Sequence, residues 1–248
     1  MRAVIFGGTT EAKELSLRIA GPDLQVTVLV ATDYGAEEQG HADHVTVKTG
    51  RKDAAEMAEI IRGAAVCIDA THPYATEATK NIRLACATAH VPYRRLKREE
   101  STVRDAFVAE NAKEAAAFLE NTPGNILLTT GAKEIPAFAY LGPERLYVRI
   151  LPSQEGIAMC EAAGIPHRNI IAMQGPFSLE MNEAVIRQYG IGCVVTKDGG
   201  DAGGFREKAQ AAKNTGAILV VIKRPEETGY DMEEIVRECL ELKENMSR

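Results

Sequence analysis

The sequence predicts an α/β fold of two units, each a parallel sheet covered by helices on both faces. Three observations lead there. Short, continuously apolar, β-rich runs alternate with longer stretches of helical period, the pattern of strands buried on both faces. The glycine-rich and polar turns fall where strands hand over to helices. The length of 248 residues exceeds the roughly 150 typical of one domain, and two units fit it better than one sheet of about ten strands.

In the first unit the expected strands are 3–6, 25–31, 44–48, 66–69 and 92–96, with helices at 10–20, 54–62 and 75–90. The last helix places Ala75, Ala78, Ile82, Ala85, Cys86 and Ala89 on one face at a 3.6-residue period. A charged run, Arg94 to Ser101, then breaks the rhythm and reads as a solvated linker. The expected boundary lies there, giving domains 1–98 and 99–248. Strands at 106–110, 126–129, 146–151, 169–173, 193–196 and 219–223 follow. Helices are expected at 112–119 and near 154–163, 178–189, 205–215 and 231–243.

Composition narrows the function. Lys and Arg number 29 against 35 Asp and Glu, a net charge of −6, and aromatics make up 5% with no Trp. Phosphate neutralisation supplies most nucleic-acid affinity, so a general DNA or RNA role is disfavoured and a small-molecule role preferred. The five cysteines are scattered and never in CxxC pairs, which argues against a disulfide framework or a zinc site. No long apolar stretch or signal-peptide pattern is visible, so the expectation is a reduced, cytoplasmic protein without a membrane role.

Ligands of open α/β sheets bind beyond the carboxyl ends of the strands. The first such turn, Phe6-Gly7-Gly8-Thr9-Thr10-Glu11, has two glycines that let a phosphate approach the backbone and a threonine to cap the helix. It is not a complete GxGxxG. After the second strand, Asp33 is either a ribose contact or a turn residue, so NADH and NADPH both stay open. The turn Asp69-Ala70-Thr71-His72-Pro73-Tyr74 brings a histidine to the same edge, as a capping cluster or as a proton donor. In the second unit, polar turns follow four strands, with Gly131, Lys133, Arg149, Ser178, Lys197 and Gly200 among them. Together they argue for a ligand cleft facing the first unit. Tyr93 and Lys97 match a YxxxK spacing, but on an extended run four residues span roughly 13 Å, so the match is coincidental.

Taken in order, these turns resemble the precorrin-6A reductase family of cobalamin biosynthesis, including its cobalt-precorrin-6A form. The resemblance rests on GGTTEA at 7–12, DATHPYA at 69–75, LLTTGAKE at 127–134 and RILP at 149–152. It continues with MQGPFS at 173–178, VTKDGGDAGG at 195–204 and VIKRP at 221–225. It implies two Rossmann-like domains with NADPH or NADH in the cleft between them. The implied reaction is hydride transfer to a double bond of a multiply carboxylated corrin precursor. Gly7, Gly8, Thr9, Thr71, Pro73, Gly131, Ser178 and Lys197 are then expected to bind cofactor, and Arg95, Lys133, Arg149 and Gly200 to bind the anionic tetrapyrrole. His72 is the expected proton donor, with Tyr74 and Lys197 as rivals, and no metal ligands are expected. The contrasting reading is a dinucleotide-binding sensor without turnover. A nucleotide-dependent transferase would need an acid or metal-binding carboxylate pair that the sequence does not display. Oligomeric state and the cobalt content of the substrate are not set by these residues.

Overall fold

The structure, a computed structural model, describes residues 1–98, 105–199 and 203–246. The chain divides into two compact units, one of Met1–Arg98 with Pro225–Arg248, the other of Glu99–Arg224. Residues 225–248, expected with the second unit, therefore pack on the first. The cause is hydrophobic. Ile235, Val236 and Cys239 of the last helix join the buried cluster formed by Ala12, Leu15 and Ile19 with Ile5 and Val28.

Unit 1 carries the parallel sheet β3-β2-β1-β4-β5, from β1 (Arg2–Phe6), β2 (Gln25–Val30), β3 (Val45–Thr49), β4 (Val66–Asp69) and β5 (Tyr93–Arg95). Val, Ile and Leu fill the central strands because both faces are covered. Helices α1 (Thr10–Ile19) and α9 (Met232–Met246) pack on one face. Helices α3 (Ala54–Ile61) and α4 (Thr76–Ala89) cover the other through Met57, Ile61, Ile82 and Ala85. A further helix, α2 (Asp33–Gln39), is capped by Thr32, whose side chain accepts from the Gly35 amide. The residues from Asp33 thus continue as helix after the turn expected there. The chain order moves outward from β1 to β3, then returns across to β4, so the direction reverses between β1 and β4.

Unit 2 carries the parallel sheet β6-β11-β10-β7-β8-β9. Its strands are β6 (Phe107–Ala109), β7 (Asn125–Leu128), β8 (Leu146–Ile150), β9 (Ile170–Ala172), β10 (Ile191–Lys197) and β11 (Ile218–Ile222). Helices α5 (Ala112–Leu119), α6 (Gln154–Ala162), α7 (Leu179–Gln188) and α8 (Phe205–Thr215) connect them. Here the order reverses between β7 and β10. The core includes Leu127, Ile186, Val194, Phe205, Ala211 and Val221.

The charged run after α4 is not a solvated linker as far as residue 98. Arg94 forms two hydrogen bonds of 2.7 Å to Glu238 of α9, and Arg95 and Leu96 are buried. Beyond β5 the chain meets the returning segment: Tyr230 donates its amide to the Arg95 carbonyl at 2.9 Å, and Lys97 donates to the Tyr230 carbonyl at 2.8 Å. The approach depends on Gly229, where an added Cβ would run into the Arg95 carbonyl oxygen. Because that neighbour is backbone, Gly229→Ala is expected to cost about 1–3 kcal/mol through forced displacement. A urea unfolding midpoint equal to wild type would contradict this.

Candidate active site

The carboxyl ends of β1 and β4 lie side by side, with Phe6 paired to Asp69. This reversal point is where an open α/β sheet leaves a crevice for a ligand. The Gly7 amide donates to the Leu29 carbonyl at 2.8 Å, and a Cβ there would stand 2.9 Å from that of Ala12. Gly8 has φ +94°, a conformation that side chains rarely adopt, and nothing lies within 4 Å of where its Cβ would be. The turn therefore presents bare backbone to open space at the start of α1, as phosphate binding at a helix N-terminus requires. Thr9 caps α1 by accepting from the Ala12 amide at 3.2 Å, and its hydroxyl donates to the Ala70 carbonyl at 3.0 Å. One side chain thus ties the β1 turn to the β4 turn.

A buried polar network fixes the second turn. Thr71 donates to Asp69 Oδ1 from both its amide, at 3.1 Å, and its hydroxyl, at 2.6 Å. Arg95 Nη1 donates to the same oxygen at 2.6 Å and to Thr71 Oγ1 at 3.1 Å. Glu227 Oε1 accepts from Arg95 Nε at 2.9 Å and also from Nη2. Tyr93 donates its hydroxyl to Asp69 Oδ2 at 3.0 Å. Burial, then the Asp69 charge, push the Tyr93 phenol up to about 12. Arg98 closes the frame, with nitrogens 2.6 and 3.1 Å from the Glu11 carboxylate oxygens in the first turn of α1.

Above this frame Pro73 is buried and His72 exposed. The Tyr74 amide donates to His72 Nδ1 at 3.4 Å, and the two rings stand 5.4 Å apart. With Nδ1 accepting, the neutral imidazole carries its proton on Nε2.

In unit 2 the corresponding reversal point holds the β7 and β10 ends. Thr129 donates to the Val195 carbonyl from its amide at 2.9 Å and its hydroxyl at 2.8 Å. Gly131 has φ +88° with open space around it. Lys197 pairs with Glu134 at 2.7 Å, and Lys133 is exposed. Arg149, near the end of β8, donates to Asn182 Oδ1 at 2.9 Å and lies 4.1 Å over the Phe177 ring. Ser178 caps α7, accepting from the Met181 amide at 3.3 Å.

The family profile described as precorrin-6x reductase CbiJ/CobK matches residues 2–240. The chain belongs to this family. A cobalt-precorrin-6A reductase of Priestia megaterium is 36% identical over 230 residues, covering 90% of each chain. One from Methanothermobacter thermautotrophicus is 34% identical over 91% of this chain and 77% of its own. Among solved structures, the CobK precorrin-6A reductase aligns over 97% of both chains with TM-score 0.77 at 23% identity, which shows the shared fold.

For this reductase, several residues singled out in the sequence take different parts. Gly7, Gly8, Thr9, Thr71, His72 and Pro73 are brought together at the unit 1 edge. Arg95 is not a substrate cation: it is 2% exposed and its guanidinium is committed to Asp69, Thr71 and Glu227. It positions the turn. Gly200 lies outside the described residues. Glu227 was missed because it follows the last strand of unit 2 in sequence and crosses back, 132 positions from Arg95. Asn182 and Phe177 were missed as well; Asn182 stands four residues after the capping Ser178, a spacing that puts both on one helix face. Among the described residues, no group of His, Cys, Asp and Glu is arranged to hold a metal ion, and no helix is long and apolar enough to cross a membrane.

Proposed function

We propose that the chain reduces a double bond of precorrin-6A, in its cobalt-loaded form, with NADPH or NADH as reductant. The observation that carries this reading is the bare Gly7-Gly8 turn beside the Thr71-His72 turn at the reversal point of unit 1. A Cβ at Gly8 would occupy the space that a diphosphate needs, so the residues fit a dinucleotide. A bound reduced nicotinamide supplies the hydride; the chain positions the reactants and supplies the proton.

In this reading Gly7, Gly8, Thr9, Thr71 and Pro73 form the cofactor platform of unit 1, and Gly131, Ser178 and Lys197 are the cofactor contacts assigned within unit 2. Thr9 and Asp69 hold the platform's two turns in register. Lys133 and Arg149 receive the anionic macrocycle. His72, protonated from solvent to the imidazolium, delivers the proton to carbon and returns to the neutral ring whose Nδ1 accepts from the Tyr74 amide. Lys197 is a weaker rival, because Glu134 already holds its ammonium. All five cysteines are free and buried, which suits a cytoplasmic setting.

The cobalt form is favoured because the relatives from Priestia megaterium and Methanothermobacter thermautotrophicus, at 36% and 34% identity, are cobalt-precorrin-6A reductases. A precorrin-6A reductase of Rhodobacter capsulatus is 27% identical. Mixing the protein with NADPH or NADH and the tetrapyrrole is expected to bleach cofactor absorbance and change the macrocycle's colour. A higher kcat/KM is expected for the cobalt-loaded than for the metal-free macrocycle. Tight cofactor binding with no oxidation would instead make the chain a sensor.

A further inference from the structure

Arg149 is set apart from the other buried arginines by its lack of a counter-charge. Arg95 faces Asp69 and Glu227, Arg98 faces Glu11, and Arg224 faces Asp198 at 2.9 Å. Arg149 is 6% exposed, yet among the described residues no carboxylate lies within ion-pair distance of it. Among the described residues its contacts are neutral: Asn182 Oδ1 and the Phe177 ring. The asparagine is itself held, its amide donating to the Ser178 carbonyl at 2.8 Å and the Phe177 carbonyl at 3.3 Å. The guanidinium is thus fixed by a built surround rather than left to settle. Burial alone draws it down to about 10.

A second cation stands on a neighbouring helix. Lys208, in the first turn of α8, donates to the Gly203 carbonyl at 2.8 Å, and a Cβ at the next residue, Gly204, would stand 3.9 Å from the backbone of Phe177, whose ring Arg149 covers. Burial and then the positive charge of Arg149 push its ammonium down to about 8, while the neighbouring Glu207 opposes this as the smallest of the three effects. Glu207 makes no ion pair with either cation among the described residues, and its Oε2 is buried there without a hydrogen-bond partner. Two like charges near one another, one buried and one half-buried, are unfavourable unless an anion completes them. A planar guanidinium beside an ammonium suits an oxyanion.

We infer that Arg149 and Lys208 together form a receptor for one carboxylate of the tetrapyrrole, Lys208 completing the charge that Arg149 begins. The inference rests on the substrate reading above, which supplies the carboxylates. The alternative oxyanion is a cofactor phosphate, but the Gly7-Gly8 turn already provides for that group.

The test follows the titration of Lys208 in the whole protein, labelled with lysine carbon-13 at Cε and assigned by loss of the signal in Lys208→Gln. Without ligand the midpoint is expected near 8. The tetrapyrrole alone should raise it by a pH unit or more, because a bound carboxylate favours the charged amine. NADPH alone should leave it in place. In turnover, Lys208→Gln should raise KM for the tetrapyrrole about tenfold with kcat within about twofold, Lys208→Arg should restore KM, and wild-type KM should climb as pH passes about 8. An unmoved midpoint in a protein that turns over normally overturns the receptor. A midpoint moved by NADPH alone assigns the site to a phosphate and also overturns it. If the wild type never oxidises cofactor with the tetrapyrrole, the reductase reading fails instead, and a midpoint still raised by the tetrapyrrole keeps the receptor.

Discussion

Replacing Arg95 by methionine is expected to cost about 3–5 kcal/mol of stability, the penalty for leaving a buried charge without its partner. Asp69 has no exposed surface, and Arg95 Nη1 stands 2.6 Å from its Oδ1. With the guanidinium gone, Asp69 keeps the donors of Thr71 and Tyr93 but loses the neutralising charge, and Glu227 loses the donors that reach its Oε1. The methionine stem replaces the packing of the aliphatic part, so the loss reports the charge network. Urea unfolding at neutral pH checks it; a loss below about 1 kcal/mol would show that the network contributes as little as an exposed ion pair. The same substitution should weaken cofactor binding, because Asp69 orients Thr71 at the platform.

His72→Ala is expected to lower kcat about a hundredfold or more, within the range for removing a general acid. His72 is exposed, so the fold should be unchanged by circular dichroism, and KM for the tetrapyrrole should move little. Near wild-type kcat at saturating substrate would remove His72 from the proton step and turn attention to Tyr74. Tyr74→Phe then separates a hydroxyl donor from a ring that merely packs 5.4 Å from the imidazole.

Much of the scaffold was legible in the sequence because the physics behind it is local. Continuous, β-branched apolar runs such as Ile218–Ile222 read as strands of a sheet covered on both faces. Glycines at strand ends, Gly7, Gly8 and Gly131, marked the turns because backbone conformation and close approach require them. What escaped was non-local or weakly patterned. Helix α2 is seven residues long and mostly polar, so it has no apolar stripe to announce it; the capping Thr32 was its one signal. The run from Arg94 onward looked like a solvated linker because its acidic partners lie far away in the chain. Glu238 is 144 positions from Arg94, and Glu11 is 87 from Arg98. The same blindness placed α9 in the wrong unit, since amphipathic spacing tells which face is buried but not against which sheet.

The site was legible in kind rather than in detail. The glycine and threonine turns could be read from residue type, whereas the burial of Arg95 could not, because a cation at a strand end looks the same whether it faces ligand or an inward carboxylate. Arg149 shows the converse. It too is buried, but with a ring and an amide as its surround, and its proposed role as a receiving arginine rests on that difference.

The most direct test of the central claim, hydride from the nicotinamide and a proton through the protein, is the isotopic mass of the product. With cofactor carrying deuterium at the transferred position, in ordinary water, the reduced tetrapyrrole should gain one deuterium. With ordinary cofactor in heavy water it should again gain one at carbon. A cofactor that stays reduced, or a product without its deuterium, would contradict the account.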